Sequence, residues 1–286
     1  MKVLVIGNTT LDVLCPVDGP VGSDYFGKLV NLKGHIVADL GGNGAIASVV
    51  LSHFRNETAL VTSIGQDLMG RMAMARLDQA GVTVFNAGSG TAKTVVLISP
   101  GGERALLHDS EGENAITVDD VYEAMEYVRP DALFLTSYFL LPSIGSPEAE
   151  DILRTARKIG MRTYLDTCWD PSGLWDMGGI PEHLDVLFAN EAEGENLDLE
   201  SIREQCTVVV KRGEKGAVMY TSGGEITASA PRITAVDTTG AGDVFCGAFI
   251  SAHLRGWKDE MTLQNAVEFA SSSVTKFGGV SFLDRI

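Results

Sequence analysis

The sequence predicts a doubly wound α/β fold, in which a mostly parallel sheet is flanked by helices and a small β-sheet lid sits beside it. Two observations carry that expectation. Short β-branched runs alternate with longer stretches of helical periodicity, the signature of parallel βαβ units. Two stretches, Val13 to Asp39 and Val82 to His108, break the rhythm. They are rich in Gly, Thr and Val, with period-2 patches such as Thr94-Val95-Val96-Leu97-Ile98, and suit pairing into a second sheet. The chain has 286 residues, 45% of them hydrophobic, enough for a buried core. The expectation is one domain over residues 1–286, with a lid from about 13–39 and 82–108.

Taken in order, Lys2 to Gly7 reads as a first strand buried on both faces, because its apolar run is continuous rather than alternating. Glu57 to Ser63, Ala132 to Ser137, Arg162 to Asp166, Asp185 to Asn190 and Thr207 to Lys211 read as further strands. Between them, helices are predicted over Gly44 to Phe54, Leu68 to Ala80, Val118 to Val128, Pro147 to Ile159 and Leu199 to Gln205. Two more follow, Asp243 to Arg255 and Thr262 to Phe277. The first has apolar residues at 244, 245, 248, 249 and 252 on one face, and Arg255-Gly256 as its stop signal.

Charge and cysteine usage narrow the function. Lys plus Arg number 22 against 38 Asp plus Glu, a net charge of −16. That excess argues against nucleic-acid and membrane partners, which call for a basic footprint. No run reaches the roughly 18 apolar residues of a membrane span, and the start, Met1 to Ile6, lacks the pattern of a secretory signal. Cys15, Cys168, Cys206 and Cys246 are scattered, with no CxxC pair, which suits a cytoplasmic protein.

The most informative stretch is Asp237-Thr238-Thr239-Gly240-Ala241-Gly242-Asp243. The small residues at 240 to 242 form the turn into a helix, so backbone N–H groups and the helix N-terminus can cradle an anion. Asp243, in the first turn, stands where a carboxylate could take a proton from an attacking hydroxyl. Earlier in the chain come Gly7-Asn8 with Asp12, Gly41-Gly42-Asn43-Gly44-Ala45, and Ser63-Ile64-Gly65-Gln66-Asp67-Leu68-Met69-Gly70. Asn190-Glu191-Ala192-Glu193 and Lys211-Arg212-Gly213-Glu214-Lys215-Gly216 follow.

These six motifs, in this order, resemble those of the ribokinase-like (PfkB) carbohydrate kinases. The resemblance implies a ribokinase-like fold and transfer of the ATP γ-phosphoryl group to a substrate hydroxyl. It makes Asp243 the general base, with Gly240, Ala241 and Gly242 stabilising the transferring group. Asp12, Asn8, Gly41, Gly42 and Asn43 would hold a small sugar or nucleoside, Asp12 by accepting hydrogen bonds from vicinal hydroxyls. Asn190, Lys211, Gly213, Gly216, Thr238, Asn265 and Phe269 would lie against the nucleotide. Asn190 and Glu193 would act around Mg²⁺ through water, and Asp237 with the Thr239 carbonyl resembles the K⁺ site of some members. The exposed lid edges predict a homodimer through the lid.

Departures bear on the substrate. Ser137-Tyr138-Phe139 stands where some sugar kinases place a Glu, and Asp170 lies where members acting on acid sugars tend to carry an Arg. An uncompensated Asp170 would repel an anionic acceptor, which favours a neutral sugar or a nucleoside. Trp169 and Tyr138 could stack on a ring or pack in the core. Two readings of other classes remain. One is a sugar- or nucleotide-binding regulator that has lost catalysis. The other is a dinucleotide enzyme suggested by Gly42-x-Gly44-x-x-Ala47. Against the second, that fingerprint should follow the first strand, where Gly7-Asn8-Thr9-Thr10 stands instead.

Overall fold

The computed structural model describes residues 1–19, 27, 29, 32, 34–88, 90–99, 104–112 and 115–283. The parts of the expected lid at 20–26, 28, 30, 31, 33, 89 and 100–103 lie outside the described residues.

The main sheet has nine strands. These are β1 (Lys2–Ile6), β4 (Glu57–Thr62), β5 (Thr83–Asn86), β8 (Ala132–Leu135), β9 (Arg162–Asp166), β10 (Val186–Asn190), β11 (Thr207–Lys211), β12 (Ala217–Thr221) and β13 (Gly224–Ala228). They lie in the order β13-β12-β11-β10-β9-β8-β1-β4-β5. Every pairing is parallel except β11 with β12 and β12 with β13. From β1 the chain winds one way through β4 and β5, then returns to β8 and winds the other way to β11. The strand order therefore reverses between β1 and β8. In doubly wound sheets, ligands bind in the crevice beyond the strand C-termini at that reversal.

Helices cover both faces. On one lie α1 (Asn43–His53), α2 (Leu68–Gln79), α7 (Ala241–Leu254) and α8 (Asp259–Ser273). On the other lie α3 (Val118–Val128), α4 (Ser146–Lys158), the single turn α5 (Glu191–Gly194) and α6 (Leu199–Arg203). Central strands such as β1 and β8 are apolar on both faces because both are buried. Each buried aliphatic side chain contributes about 1.5–3 kcal/mol of transfer free energy. Helix entries are set locally. Asp67 caps α2 by accepting from the Gly70 N–H at 2.7 Å, and Thr117 forms a capping box with Asp120 at the start of α3.

The second sheet is antiparallel at both edges and parallel at its centre. Its strands are β2 (Thr10–Pro16), β3 (Val37–Gly41), β6 (Ala92–Ile98) and β7 (Arg104–Asp109), in the order β3-β2-β6-β7.

Three expectations are corrected here. Residues Thr83–Asn86 belong to the main sheet as its edge strand, not to the lid, because they follow α2 directly and pair with β4. The lid starts at Thr10, not Val13. The hairpin β12–β13 was not foreseen, although the strand-forming run Ala217–Thr221 followed by Ser222-Gly223 signals it. Helix α7 also differs from the one-faced helix expected, since Asp243 to Ala252 are all buried. It packs between α1 and α8, which leaves it no solvent face along that length.

Candidate active site

The α7 entry forms the first half of the site. Gly240 caps the helix at φ 72°, a left-handed conformation that glycine adopts without strain. That turn leaves Asp243 in the first turn, buried, while the Ala241 and Asp243 N–H groups donate back to the Thr238 and Gly240 carbonyls. The Asp243 carboxylate accepts a 2.8 Å hydrogen bond from Asn43 Nδ2. Burial, with the charge of Asp166 close by, pushes its pKa up to about 7. A carboxylate so tuned accepts protons near neutral pH.

Beside the turn opens a cleft of about 480 Å³. Lys211, Gly213, Gly216 and Thr238 line it, together with Ala241, Gly242 and Phe245 of α7. The far wall is Val267, Ala270, Ser271 and Val274, along and just past α8. This cleft joins the glycine turn to an apolar wall. Its size suits a nucleotide.

Asn265 and Phe269 do not line this cleft, and their expected place against the nucleotide is corrected. Phe269 faces away and packs on Phe54 at 4.7 Å and Phe282 at 5.4 Å between ring centroids. Asn265 lines a separate hollow with Arg55, Arg255 and Trp257. On an α-helix, residues 267, 270, 271 and 274 share the opposite face from 265 and 269.

The second half of the site lies at the β1/β8 reversal. The Asn8 side-chain oxygen accepts from the Asn43 N–H at 3.0 Å and from Ser137 Oγ at 2.7 Å. Asn43 Nδ2 also donates to Cys168 Sγ at 3.3 Å, so Asn43 links both halves. Asp12, on β2, is buried and accepts from Thr10 Oγ1 at 2.8 Å. Its carboxyl is raised above the usual range, chiefly by burial. A side chain at Gly41 would collide with this carboxylate, so glycine there gives it room. Asp12 sits across from Asp39 on β3 and Thr94 on β6, in the register that also brings His108 into the row. Gly42 precedes α1 as its cap.

Several site residues gain partners that the motifs did not announce. Asn190 and Glu193 form a capping box at the start of α5. Asn190 N–H donates to Glu193 Oε2 at 2.8 Å, Asn190 Nδ2 to Oε1 at 2.6 Å, and the Glu193 N–H returns to Asn190 Oδ1 at 2.9 Å. Asn190 therefore spends its amide on its own helix and does not line the cleft. Glu193 also accepts from Thr167 Oγ1 at 3.2 Å, and burial raises its carboxyl. Asp237 accepts from the Thr239 N–H at 2.9 Å, Thr239 Oγ1 at 2.6 Å and the Gly278 N–H at 3.0 Å, stapling the loop before α7 to the loop after α8.

Asp170 is not the uncompensated charge expected. It accepts from the Ser172 N–H at 2.8 Å, Ser172 Oγ at 2.7 Å and the Trp175 N–H at 2.7 Å, and it holds its own loop. Tyr138 is buried, whereas Trp169 is 55% exposed directly after Cys168, at the rim of the acceptor side. Asp166, at the end of β9, was missed altogether. It takes both Lys211 hydrogen bonds, at 2.8 and 2.9 Å. Its signal was a lone carboxylate at the C-terminal end of a central parallel strand, where such sheets place ligands.

The chain matches the pfkB family carbohydrate kinases over residues 1–285. It is 28% identical to an ATP-dependent ribose-1-phosphate kinase of Halopiger xanaduensis, over 95% of this chain and 90% of that protein. It is also 28% identical to the fructoselysine 6-kinase of Escherichia coli, over 82% of this chain and 88% of that protein. Among solved structures, Thermotoga maritima ribokinase superposes with a TM-score of 0.78 at 24% identity, covering 99% and 95% of the two chains. Arabidopsis thaliana ribokinase complexed with ribose and ATP gives 0.79 at 21% identity, covering 98% and 95%. With the glycine turn, the buried carboxylate and the reversal-point crevice in family order, the chain belongs to the pfkB family of carbohydrate kinases, phosphotransferases with an alcohol group as acceptor.

Proposed function

We propose that this kinase transfers the γ-phosphoryl group of ATP to a hydroxyl of a small sugar or related polyol, with Asp243 as general base. The observation that carries the reading is Asp243 itself. It lies beside an anion-binding turn, has a pKa pushed up to about 7, and is tied through Asn43 to the acceptor side. Residues 1–286 would act as one catalytic unit, with the lid strands covering the acceptor.

In this reading ATP lies in the 480 Å³ cleft, with its phosphates at the Gly240–Gly242 turn. The acceptor binds between Asp12, Asn8, Asn43 and the Gly41–Gly42 backbone. Asp243 receives the hydroxyl proton as the oxygen attacks the γ-phosphorus, and the Gly242 N–H with the positive end of the α7 dipole would meet the charge that develops. Closure of the lid over Asp12 would exclude water, whose attack would otherwise waste ATP.

Glu193 fits a role near Mg²⁺. It is a buried carboxylate, offers only oxygen donors, and keeps lone pairs beyond its present hydrogen bonds, a set suited to a hydrated hard cation. Asn190 supports it by fixing its orientation. Bound Mg²⁺ supplies neutralisation of phosphate charge. Asp237 accepts the same number of hydrogen bonds as Glu193 and likewise keeps lone pairs, so Asp237 with the Thr239 carbonyl stays the proposed place for K⁺.

Leu106 and Leu107, 63% and 61% exposed on the lid edge strand β7, favour a homodimer through the lid. Four free thiols favour the cytoplasm. No helix among the described residues is long and apolar enough to cross a membrane. The exposed Trp169 favours a second reading, a nucleoside acceptor whose base would stack there. The test is ADP release from ATP and Mg²⁺ across neutral sugars, sugar acids, sugar phosphates and nucleosides. The proposal expects turnover with a polyol or nucleoside. ADP release that no acceptor accelerates would refute it and favour a binding protein.

A further inference from the structure

Among the acids at the strand C-termini stands one buried cation whose function the motifs leave open. Lys211, at the end of β11, sends Nζ to both oxygens of Asp166, at 2.8 and 2.9 Å. Asp166 is 1% exposed and the Lys211 side chain 14%, so the carboxylate lies out of water and the ammonium at the cleft wall. Cys246 Sγ, on α7, sits 3.9 Å from Nζ and offers only a weak acceptor. A burial of this kind is costly unless the ions are paired, and the bidentate grip fixes where the ammonium points.

It points at the turn. A Cβ placed on Gly242 would lie 3.4 Å from Lys211 Nζ, so the ammonium is in contact range of the glycine that opens α7. Lys211 also lines the nucleotide cleft. The ammonium therefore has two sides, one anchored on Asp166 and one facing the place where an anion would meet the α7 N-terminus.

We infer that Lys211 is a fixed positive charge for the transferring phosphoryl group and that Asp166 is its positioning residue. The inference rests on the kinase reading above. In the step, the acceptor oxygen forms a bond to the γ-phosphorus, the bond from that phosphorus to the departing ADP oxygen breaks, and the hydroxyl proton passes to Asp243. Lys211 gains and loses no proton. It offsets charge on the equatorial oxygens alongside the backbone N–H of Gly242, whose neighbours Ala241 and Asp243 donate theirs to the Thr238 and Gly240 carbonyls. ADP lacks the group that Lys211 serves, so the lysine should distinguish the triphosphate from the diphosphate.

The pair also sets the field at the base. The titratable groups that face Asp243 are Asp166 of β9, Lys211 of β11, Glu193 of α5, and the thiols Cys168 and Cys246. Asp166 and Glu193 disfavour its ionised form, and Lys211 favours it. Removing each partner of the pair should thus move the base in opposite directions.

The test uses full-length wild type, Lys211→Met, Lys211→Arg, Asp166→Asn and the double variant Asp166→Asn/Lys211→Met. Single variants leave a buried charge unpaired and can fail to fold. The double variant removes both charges and keeps the question answerable. Expected are a kcat loss of roughly 10²- to 10³-fold in Lys211→Met and in the double variant, with ADP affinity by calorimetry within about threefold of wild type. A non-hydrolysable ATP analogue should lose its advantage over ADP. The acid limb of kcat/KM should move to higher pH in Lys211→Met and to lower pH in Asp166→Asn, with Lys211→Arg recovering about tenfold in kcat.

Double-variant turnover near wild type would overturn the inference, as would ADP and analogue affinities falling together. If wild type releases no ADP with any acceptor, the kinase reading fails by itself. The analogue-to-ADP ratio in Lys211→Met then still decides the inference. An unchanged ratio overturns it and a lost ratio upholds it.

Discussion

The two ends of the site are built in different ways. At the phosphate end one short segment does most of the work, since Gly240 to Asp243 supply the turn, the N–H groups and the carboxylate from consecutive residues. At the acceptor end most links are distant, the Thr10–Asp12 hydrogen bond apart. Asn43 meets Asn8 across 35 residues, Cys168 across 125 and Asp243 across 200, and Ser137 reaches Asn8 across 129. A backbone anion site needs only small residues and a helix start, whereas selectivity for a polyol needs side chains from several elements. Phosphoryl-transfer chemistry can therefore persist while the acceptor end varies.

Substitutions can separate the two ends, and the largest expected effect is at Asp243. Asp243→Asn should lower kcat by roughly 10²- to 10⁴-fold, with nucleotide affinity unchanged by calorimetry. Gly240→Val comes next. A β-branched residue at φ 72° is strained, and its Cβ would lie 2.6 Å from Ile46 Cδ1. Misaimed N–H donors should reduce kcat by about 10²-fold in steady-state assays. Asp12→Ala should act at the other end. The acceptor KM should rise roughly 10- to 100-fold with kcat little changed, the worth of a charged hydrogen-bond acceptor. An equal fall in kcat would place Asp12 in the phosphate half.

A smaller effect is on stability. The raised pKa of Asp243 means that the folded state holds a proton more tightly than the unfolded chain. Its contribution is favourable below the unfolded pKa of 3.8 and is lost as pH rises through about 7. Asp243→Asn should therefore raise Tm more at alkaline than at acidic pH in calorimetric scans. Each kcal/mol regained is worth roughly 2–4 °C. The smallest effect is at Asp170, whose removal should cost about 1 kcal/mol, as for a lost cap. Asp170→Ala should leave the choice between neutral and anionic acceptors unchanged in the ADP-release panel.

The same contrast explains what could be read in the sequence. Strand β1, the helices α1 to α4 and the α7 entry were legible because periodicity and glycine turns are local properties. Strand β5 was assigned to the lid because β-branched residues near a second sheet carry no label of which sheet they join. Phe269 was placed against the nucleotide because the helix was foreseen but not which face met the cleft. Asp166 was invisible as a partner of Lys211. A charge pair 45 residues apart has no signature until both strands are in register, with Asp166 beside Phe188 and Lys211 beside Asn190. Asp170 was misjudged for a similar reason, since its compensation comes from its own loop folding back.

The account turns on Asp243 acting as the proton acceptor between the two ends. The most direct measurement is the pH dependence of single-turnover phosphoryl transfer, compared between wild type and Asp243→Asn. The wild-type rate should fall about tenfold per unit as pH drops below roughly 7, with that limb absent from the residual activity of the variant. A wild-type profile that stays flat through this range, or a variant that keeps the same limb, would contradict it.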